Sequence, residues 1–448
     1  EEDWFIKKDW LNEFKLRASY GTVGNNRIGV DKFKTTYATS SDYGYAYSGA
    51  VTPGSAPIDL ARADLQWETT KSQNYGLDIA LFNNRLDMHV DVYNVNTNNL
   101  LLYRNIPNHS GYENQYQNVG ALRNRGVEFQ LNANVVQSRD FQYNINFNIS
   151  HNKSTIQSLG TSPEGTPLME DYASTNWIAN GYLDYKIEVG GPVGQFYGFV
   201  YDGFYKVSDF DYDPATETYT LKEGIADGSN AILGRPAQPG DLKVKDISDD
   251  GDNVIGEQDK TVLGNAQPKH FGGLNQQFIY KNFDLNIFVN WSYGNKVYNA
   301  NAIEFTTRYQ YSDNNMLEMM EDRFTWFNDQ GVKVTDPAEL EVMNADAKYW
   351  MPSRGRYVFH SFAVEDGSFL RISNITLGYT LPDRWLNNVK WLKKLRVYGT
   401  VNNLYTFTKY NGYDPEANVR SNNALTPGLD YAAYPRSRFI LGGVNITF

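Results

Sequence analysis

Val127-Glu128-Phe129-Gln130-Leu131-Asn132-Ala133-Asn134-Val135 is followed, after the turn residues Gln137-Ser138-Arg139-Asp140, by Phe141-Gln142-Tyr143-Asn144-Ile145-Asn146-Phe147-Asn148-Ile149. Apolar and polar side chains alternate through both runs. Successive side chains of a strand point to opposite faces, so each run has one apolar face and one wet face. The turn between them makes an antiparallel hairpin. The same period recurs in both directions along the chain. Phe14, Leu16, Ala18 and Tyr20 alternate with Lys15, Arg17 and Ser19. Runs at 75–81, 86–92, 285–291, 375–381, 395–401 and 440–448 behave alike, and 274–280 more weakly. This reading gives ten strands in five hairpins.

The connections alternate in length. Residues 82–85, 137–140 and 281–282 are tight turns, and 381–394, with Pro382, is somewhat longer. Between them lie long segments at roughly 22–65, 104–114, 152–267, 296–365 and 406–434. Short turns at one end and long loops at the other are the pattern of an outer-membrane β-barrel. A soluble sandwich is not expected to gather its long loops at one end. Aromatic residues near strand ends, such as Tyr20, Tyr93, Tyr280, Tyr379 and Phe448, suit the two membrane interfaces.

Composition agrees. Aromatics make up 15% of the 448 residues while charged residues make up only 21%, and mean hydropathy is −0.55. Polarity therefore comes from uncharged side chains, which favour alternating strands over amphipathic helices. With no cysteine, a disulfide scaffold, a thiolate nucleophile and a cysteine-based metal site are excluded. The net charge of −11 argues against a nucleic-acid partner, whose phosphates need a basic face. There is no run of 18 apolar residues, but a barrel strand spans with roughly 9–11 residues, of which only alternate ones are apolar. The sequence begins at Glu1 without a signal peptide, which reads as a removed leader or a piece of something longer.

A set of short motifs then appears in order along the chain. These are Leu16-Arg17-Ala18-Ser19-Tyr20-Gly21, Asn74-Tyr75-Gly76-Leu77-Asp78, Asn118-Val119-Gly120, Asn124-Arg125-Gly126-Val127-Glu128 and Pro239-Gly240-Asp241. Gly367-Ser368-Phe369-Leu370-Arg371 leads to Thr376-Leu377-Gly378-Tyr379-Thr380-Leu381-Pro382, and Tyr434-Pro435 precedes Ser437-Arg438 and the final Phe448. Together they resemble the SusC/RagA family of TonB-dependent outer-membrane transporters of Bacteroidetes. The resemblance implies an all-β fold: about the last ten strands of a barrel of about 22 strands with a plugged lumen. It makes residues 1–448 the C-terminal barrel portion, without the TonB box, the plug, the small N-terminal domain and the first half of the barrel. It further implies import of oligosaccharides or oligopeptides, a SusD-like lipoprotein lid, energy from TonB through the plug, a lipid surround and no covalent chemistry. Phe448 would be the barrel's C-terminal signal. A self-contained ten-stranded barrel acting as a surface enzyme or adhesin is the alternative, and a secreted glycan-binding sandwich is a third reading.

Three groups of residues are candidates for chemistry. Asp246, Ser248, Asp250, Asp252 and Asp259 surround Gly251 and resemble a calcium loop, in which alternating hard oxygens wrap one Ca²⁺. Ile255 falls two places late for that pattern, and a solvated acidic turn is the plain alternative. No cofactor is required on this reading; a structural Ca²⁺ is the one that the loop offers. Tyr43, Tyr45, Tyr47, Tyr309, Tyr311, Trp326, Trp350, Tyr410 and Tyr413 crowd the long loops and suit sugar stacking, peptide capture or lid contact. Asp87, His89 and Asp91 share one face of a strand and could be hydrolytic, but every strand has an equally polar inner face, so a wet wall is the better reading. Asn144, Asn146, Asp284 and Asn286 belong to that wall. Met316, Met320, Phe324 and Phe327 have helical spacing and predict a short loop helix.

Overall fold

The computed structural model describes residues 8–26, 34–105, 112, 114–162, 165–178, 181–248, 250–307, 315–353, 356–387, 389, 391–421 and 423–448. Ten long strands form where the alternation predicts them: β1 (Leu11–Asn25), β2 (Glu68–Leu81), β3 (Leu86–Asn98), β4 (Ala121–Gln137), β5 (Phe141–Ser158), β6 (His270–Tyr280), β7 (Phe283–Tyr293), β8 (Phe369–Thr380), β9 (Lys394–Thr408) and β10 (Phe439–Thr447). No helix among the described residues is long and apolar enough to cross a membrane.

The chain divides into two compact units. The first holds residues 1–171, 188–192 and 272–285, and in it β1 to β6 are neighbours in chain order. Register sorts the side chains. Leu16 faces Leu77, Leu77 faces Val90, Val90 faces Phe129 and Phe129 faces Ile149. One position along, Lys15, Asp78, His89, Gln130 and Asn148 form the polar row. Leu16 of the first row is 73% exposed and Leu77, Val90, Phe129 and Ile149 are half-buried, which suits a face turned to lipid rather than water.

The strands outrun the alternation. β5 continues from Ile149 to Ser158 through residues that are polar except for the buried Ile156, because its ladder with β4 continues to Ala121 opposite Ser158. At 18 residues it is longer than the roughly 9–11 that span hydrocarbon, so the wall projects beyond the bilayer. The tight turns match expectation. Phe82, Asn83 and Asn84 all have positive φ, a conformation that asparagine tolerates. At the next turn the Ser138 N–H donates to Phe141 O (2.9 Å).

The second unit holds 172–187, 193–271 and 286–448. In it most of β7 and then β8, β9 and β10 are neighbours in order. The turn between β8 and β9 contains a short helix, Asp383–Leu386, which alternation cannot reveal. Its long loops fold into a body with three apolar clusters of its own. One centres on Tyr185, Phe196, Tyr298 and Phe359, one on Phe199, Tyr205, Phe210 and Ile255, and one on Phe324, Trp326 and Leu340. Helices Ala300–Thr307 and Pro337–Met343 belong to it. The helix expected around Met316–Phe327 is corrected to a 3-10 turn, Glu318–Asp322. Phe324 leaves the turn to bond its N–H to Tyr349 O (2.9 Å). Met320 and Phe324 are buried, but Phe327 is exposed.

Candidate functional site

On the wet face of the first unit, alternation brings charged residues of three strands together. Arg17 of β1 donates to both oxygens of Asp78 on β2 (2.8 Å each) and to both oxygens of Asp91 on β3 (3.0 and 2.9 Å). His89 Nδ1 lies 2.8 Å from Asp78 Oδ1, and its Nε2 lies 3.2 Å from Asp87 Oδ2. Two-sided binding of carboxylates is what a planar guanidinium does best. His89 is thus held by two carboxylates and bonds to no nucleophilic side chain among the described residues, which fits a polar wall rather than a hydrolytic pair. On the neighbouring strands, Asn146 Nδ2 donates to Asn132 Oδ1 (2.8 Å).

The aromatic candidates separate by exposure. Trp326, Trp350 and Tyr410 are buried. The Trp326 indole N–H donates to Pro239 O (3.0 Å), and its ring meets Tyr219 edge-on at 5.4 Å. Trp350 packs against Tyr201, Phe362 and His360. Tyr410 donates to Asp430 Oδ2 (2.6 Å). These three hold the loop body together and present no ring face outward, which corrects their expected place on a contact surface. Tyr45 and Tyr47 lie on the ribbon Thr36–Tyr47 paired with Ala50–Asp59. They are 61% and 70% exposed, and Tyr413 is 76% exposed. These are the candidates with rings available. Tyr309, Tyr311 and the Tyr43 side chain lie outside the described residues. Phe448 is exposed and stacks on Trp391 (5.7 Å between centroids), an arrangement suited to an interfacial belt.

The acidic loop brings three of its five candidates together. Carboxylate oxygens of Asp246, Asp250 and Asp252 all lie within 4.8 Å of one another. Burial and the neighbouring Asp259 carboxylate push Asp246 above its usual value, while the Asp252 backbone N–H holds Asp250 below. The Ser248 hydroxyl donates to Asp246 Oδ1 (3.2 Å). Asp259 is used differently. Its Oδ1 accepts the N–H of Ile247 and Ser248 (2.9 and 3.0 Å), and its Oδ2 accepts that of Gly256 (2.8 Å). Burial opposes its ionisation, yet these backbone donors keep it below the ordinary range. The loop is therefore closed by Asp259, and Ile255, the late apolar residue, plugs the core beneath it. Three carboxylates fit the hard-oxygen chemistry of Ca²⁺, which takes roughly 6–8 oxygens and would need carbonyl or water oxygens besides.

Sequence reasoning missed what two of the motifs do. Gly240 has φ +88°, and a Cβ there would stand 2.2 Å from the Phe324 ring. Asp241 is fully buried and binds Arg235 at both oxygens (2.6 and 2.7 Å). Pro239-Gly240-Asp241 is thus a core turn. Arg371, nearly buried, joins Asp414 (2.7 Å), Glu416 and the Thr406 hydroxyl (2.9 Å). Arg436, in the Tyr434–Arg438 motif, lies 3.0 Å from both Asp414 and Glu416. Two arginines and two acids therefore tie both ends of the last loop to β8. The signal was present as one arginine in each of two motifs, but their separation of 65 positions hid the pairing.

Comparison with known proteins agrees with this geometry. Residues 7–231 match the family described as TonB dependent receptor-like, beta-barrel. TonB-dependent receptor P3 of Formosa agariphila is 32% identical over the whole chain, which spans 40% of that relative. TonB-dependent receptor SusC of Bacteroides thetaiotaomicron is 26% identical over the whole chain, which spans 39% of it. The RagAB peptide transporter structure superposes with a TM-score of 0.72 at 24% identity, over 100% of this chain and 42% of its own. The chain thus spans about two fifths of the length of the relatives it matches.

Proposed function

The chain belongs to the TonB-dependent receptor-like β-barrel family, an outer-membrane family, and from that premise we propose that it forms the wall and outer loops of a SusC-like importer of large nutrients. The observation that carries this is the division of labour along the chain. In each unit alternating strands joined by short turns make a wall with one apolar face, and the long loops of the second unit fold into a body with its own core. A loop body so built is a rigid surface, not a set of mobile tethers, which suits capture of a large ligand and contact with a lid. Exposed Tyr45, Tyr47 and Tyr413 provide flat amphipathic faces for either purpose. The cargo is an oligosaccharide or an oligopeptide, the lid a SusD-like lipoprotein, and the energy is delivered by TonB through a plug.

The test is uptake by cells that produce the full-length transporter with its genetic neighbours. Fluorescent oligosaccharide and oligopeptide pools are offered in parallel. Uptake of one pool that is lost on deleting either the transporter or TonB supports the proposal. Uptake of both pools unchanged in the deletion strain overturns it.

A further inference from the structure

The body formed by the long loops of the second unit holds a cavity of about 20 Å³. Its walls are apolar: Ile232, Leu233 and Val358 of the second cluster, and the Trp350 ring. One buried polar side chain stands among them. His360 is 1% exposed, and neither of its ring nitrogens bonds to a described residue. Burying a polar group without a partner is costly, so this imidazole points to a ligand. Towards solvent the lining turns polar. Thr307 ends the helix Ala300–Thr307, and its hydroxyl has no partner among the described residues. Arg356 is exposed, and its guanidinium makes no ion pair or hydrogen bond with a described residue. Gly234, at φ +67°, lies beside it: a Cβ there would stand 3.4 Å from Arg356 Nε. None of the described residues that line the cavity is acidic.

We propose that this cavity binds the carboxylate group of a ligand, with one oxygen inside against His360 and the other outside on Arg356. The inference rests on the importer reading above and deepens it by naming the chemistry of the cargo. Size sets the first limit. A water-sized group needs roughly 10–15 Å³, so the cavity admits one oxygen and excludes a ring or an aliphatic chain. Hydrogen bonding sets the second. Burial pushes His360 down to about 4 and so keeps it neutral, and a neutral imidazole still has one N–H to donate. The Thr307 hydroxyl is a second donor, and the guanidinium fork supplies more. Such a set suits a group with two acceptor oxygens and no proton. Charge sets the third. Arg356 is the one charged side chain among the described residues on the cavity, and a single fixed positive charge matches a monoanion. Apolar walls lower the local dielectric and strengthen the pairing. A lone water would satisfy His360 but would leave Arg356 unpaired. The carboxylate has two sources, the C-terminus of an oligopeptide or a uronic acid of an oligosaccharide.

The experiment is calorimetric titration of the full-length transporter in detergent. Two matched pairs are used: N-acetyl-tetraalanine and its C-terminal amide, and digalacturonate and its methyl ester. The acid of at least one pair should bind about tenfold tighter than its neutral partner, and the pair that shows this names the source. Acetate should compete with that acid and sulfate should not. Arg356→Gln should abolish the preference, Arg356→Lys should keep part of it, and His360→Leu should lower it several-fold. Melting temperatures equal to the parent's show that each variant is folded. Acid and neutral forms that bind alike, absence of binding by all four, displacement by sulfate, or a preference indifferent to Arg356→Gln or to His360→Leu overturns the proposal. The uptake assay above separates the two readings. TonB-dependent uptake without an acid preference fails only this inference, whereas uptake independent of TonB fails the importer itself.

Discussion

Asp184 and His360 are buried in the loop body and titrate in opposite senses. Burial pushes the Asp184 carboxyl up to about 6, against two bonds from Thr175 and the field of Lys260. Burial pushes the His360 imidazole down to about 4, and its Nδ1 has no partner among rings of Tyr201, Trp350 and Phe362. Between pH 3.8 and about 6 the folded chain binds the Asp184 proton more readily than the unfolded chain, so stability is lost as pH rises through that window. Between pH 6.5 and about 4 the unfolded chain binds the His360 proton more readily, so stability is lost as pH falls. Each effect is on the order of 3 kcal/mol at full titration, and over the shared range they oppose. Asp184→Asn should therefore steepen the loss of melting temperature on acidification, and His360→Phe should flatten it. Tryptophan fluorescence melts from pH 7 to pH 4 read both, since Trp350 touches His360. A profile for Asp184→Asn that runs parallel to the parent would sink the assignment.

The last loop, between β9 and β10, depends on one strand residue. Arg371 is fixed on β8, and among the described residues Asp414 and Glu416 pair with no other cation except the half-exposed Arg436. Removing one member of a buried pair leaves charge uncompensated and costs about 3–5 kcal/mol. Arg371→Met should thus open the loop, seen as faster hydrogen exchange over 409–438 with the wall strands unchanged. Arg371→Lys keeps the charge but not the fork, and should fall between. Exchange equal to the parent in both variants would mean that the network contributes nothing. The acidic loop makes a different prediction. If Asp246, Asp250 and Asp252 hold calcium, millimolar Ca²⁺ raises the melting temperature, and Asp246→Ala with Asp250→Ala abolishes the rise. No rise in the parent would refute the site. These two loops show what was legible beforehand. β4 and β5 could be read because each side chain's face depends only on its own neighbours. The roles of Arg371, Gly240 and Asp259 could not, because they are set by partners 43, 84 and 12 positions away. Exposed and buried aromatic residues look alike in a loop sequence, so Trp350 and Tyr413 could be told apart only once the clusters were built.

At the scale of the whole molecule, the edges decide between an importer and a free-standing barrel. Among the described residues β1 pairs on one side only, with β2, and β10 pairs on one side only, with β9. Each edge therefore carries a row of backbone groups open to a further strand. In hydrocarbon each unsatisfied N–H or C=O costs several kcal/mol, so over strands of 15 and 9 residues such an edge is far outside the net stability of about 5–15 kcal/mol that a folded domain has. Two ways of covering them exist: strands supplied by more polypeptide, or β1 paired with β10. The first belongs to the importer and the second to the ten-stranded alternative. Residues 1–448 refolded alone in detergent should give no heat-modifiable band and should aggregate through the open edges. The same residues within the full-length transporter should give one that resists unfolding. A compact, heat-modifiable monomer of residues 1–448 alone would mean that β1 and β10 close on each other. The lumen would then be too narrow for large nutrients, because barrel diameter grows with strand number, and a surface enzyme or adhesin would become the reading to pursue.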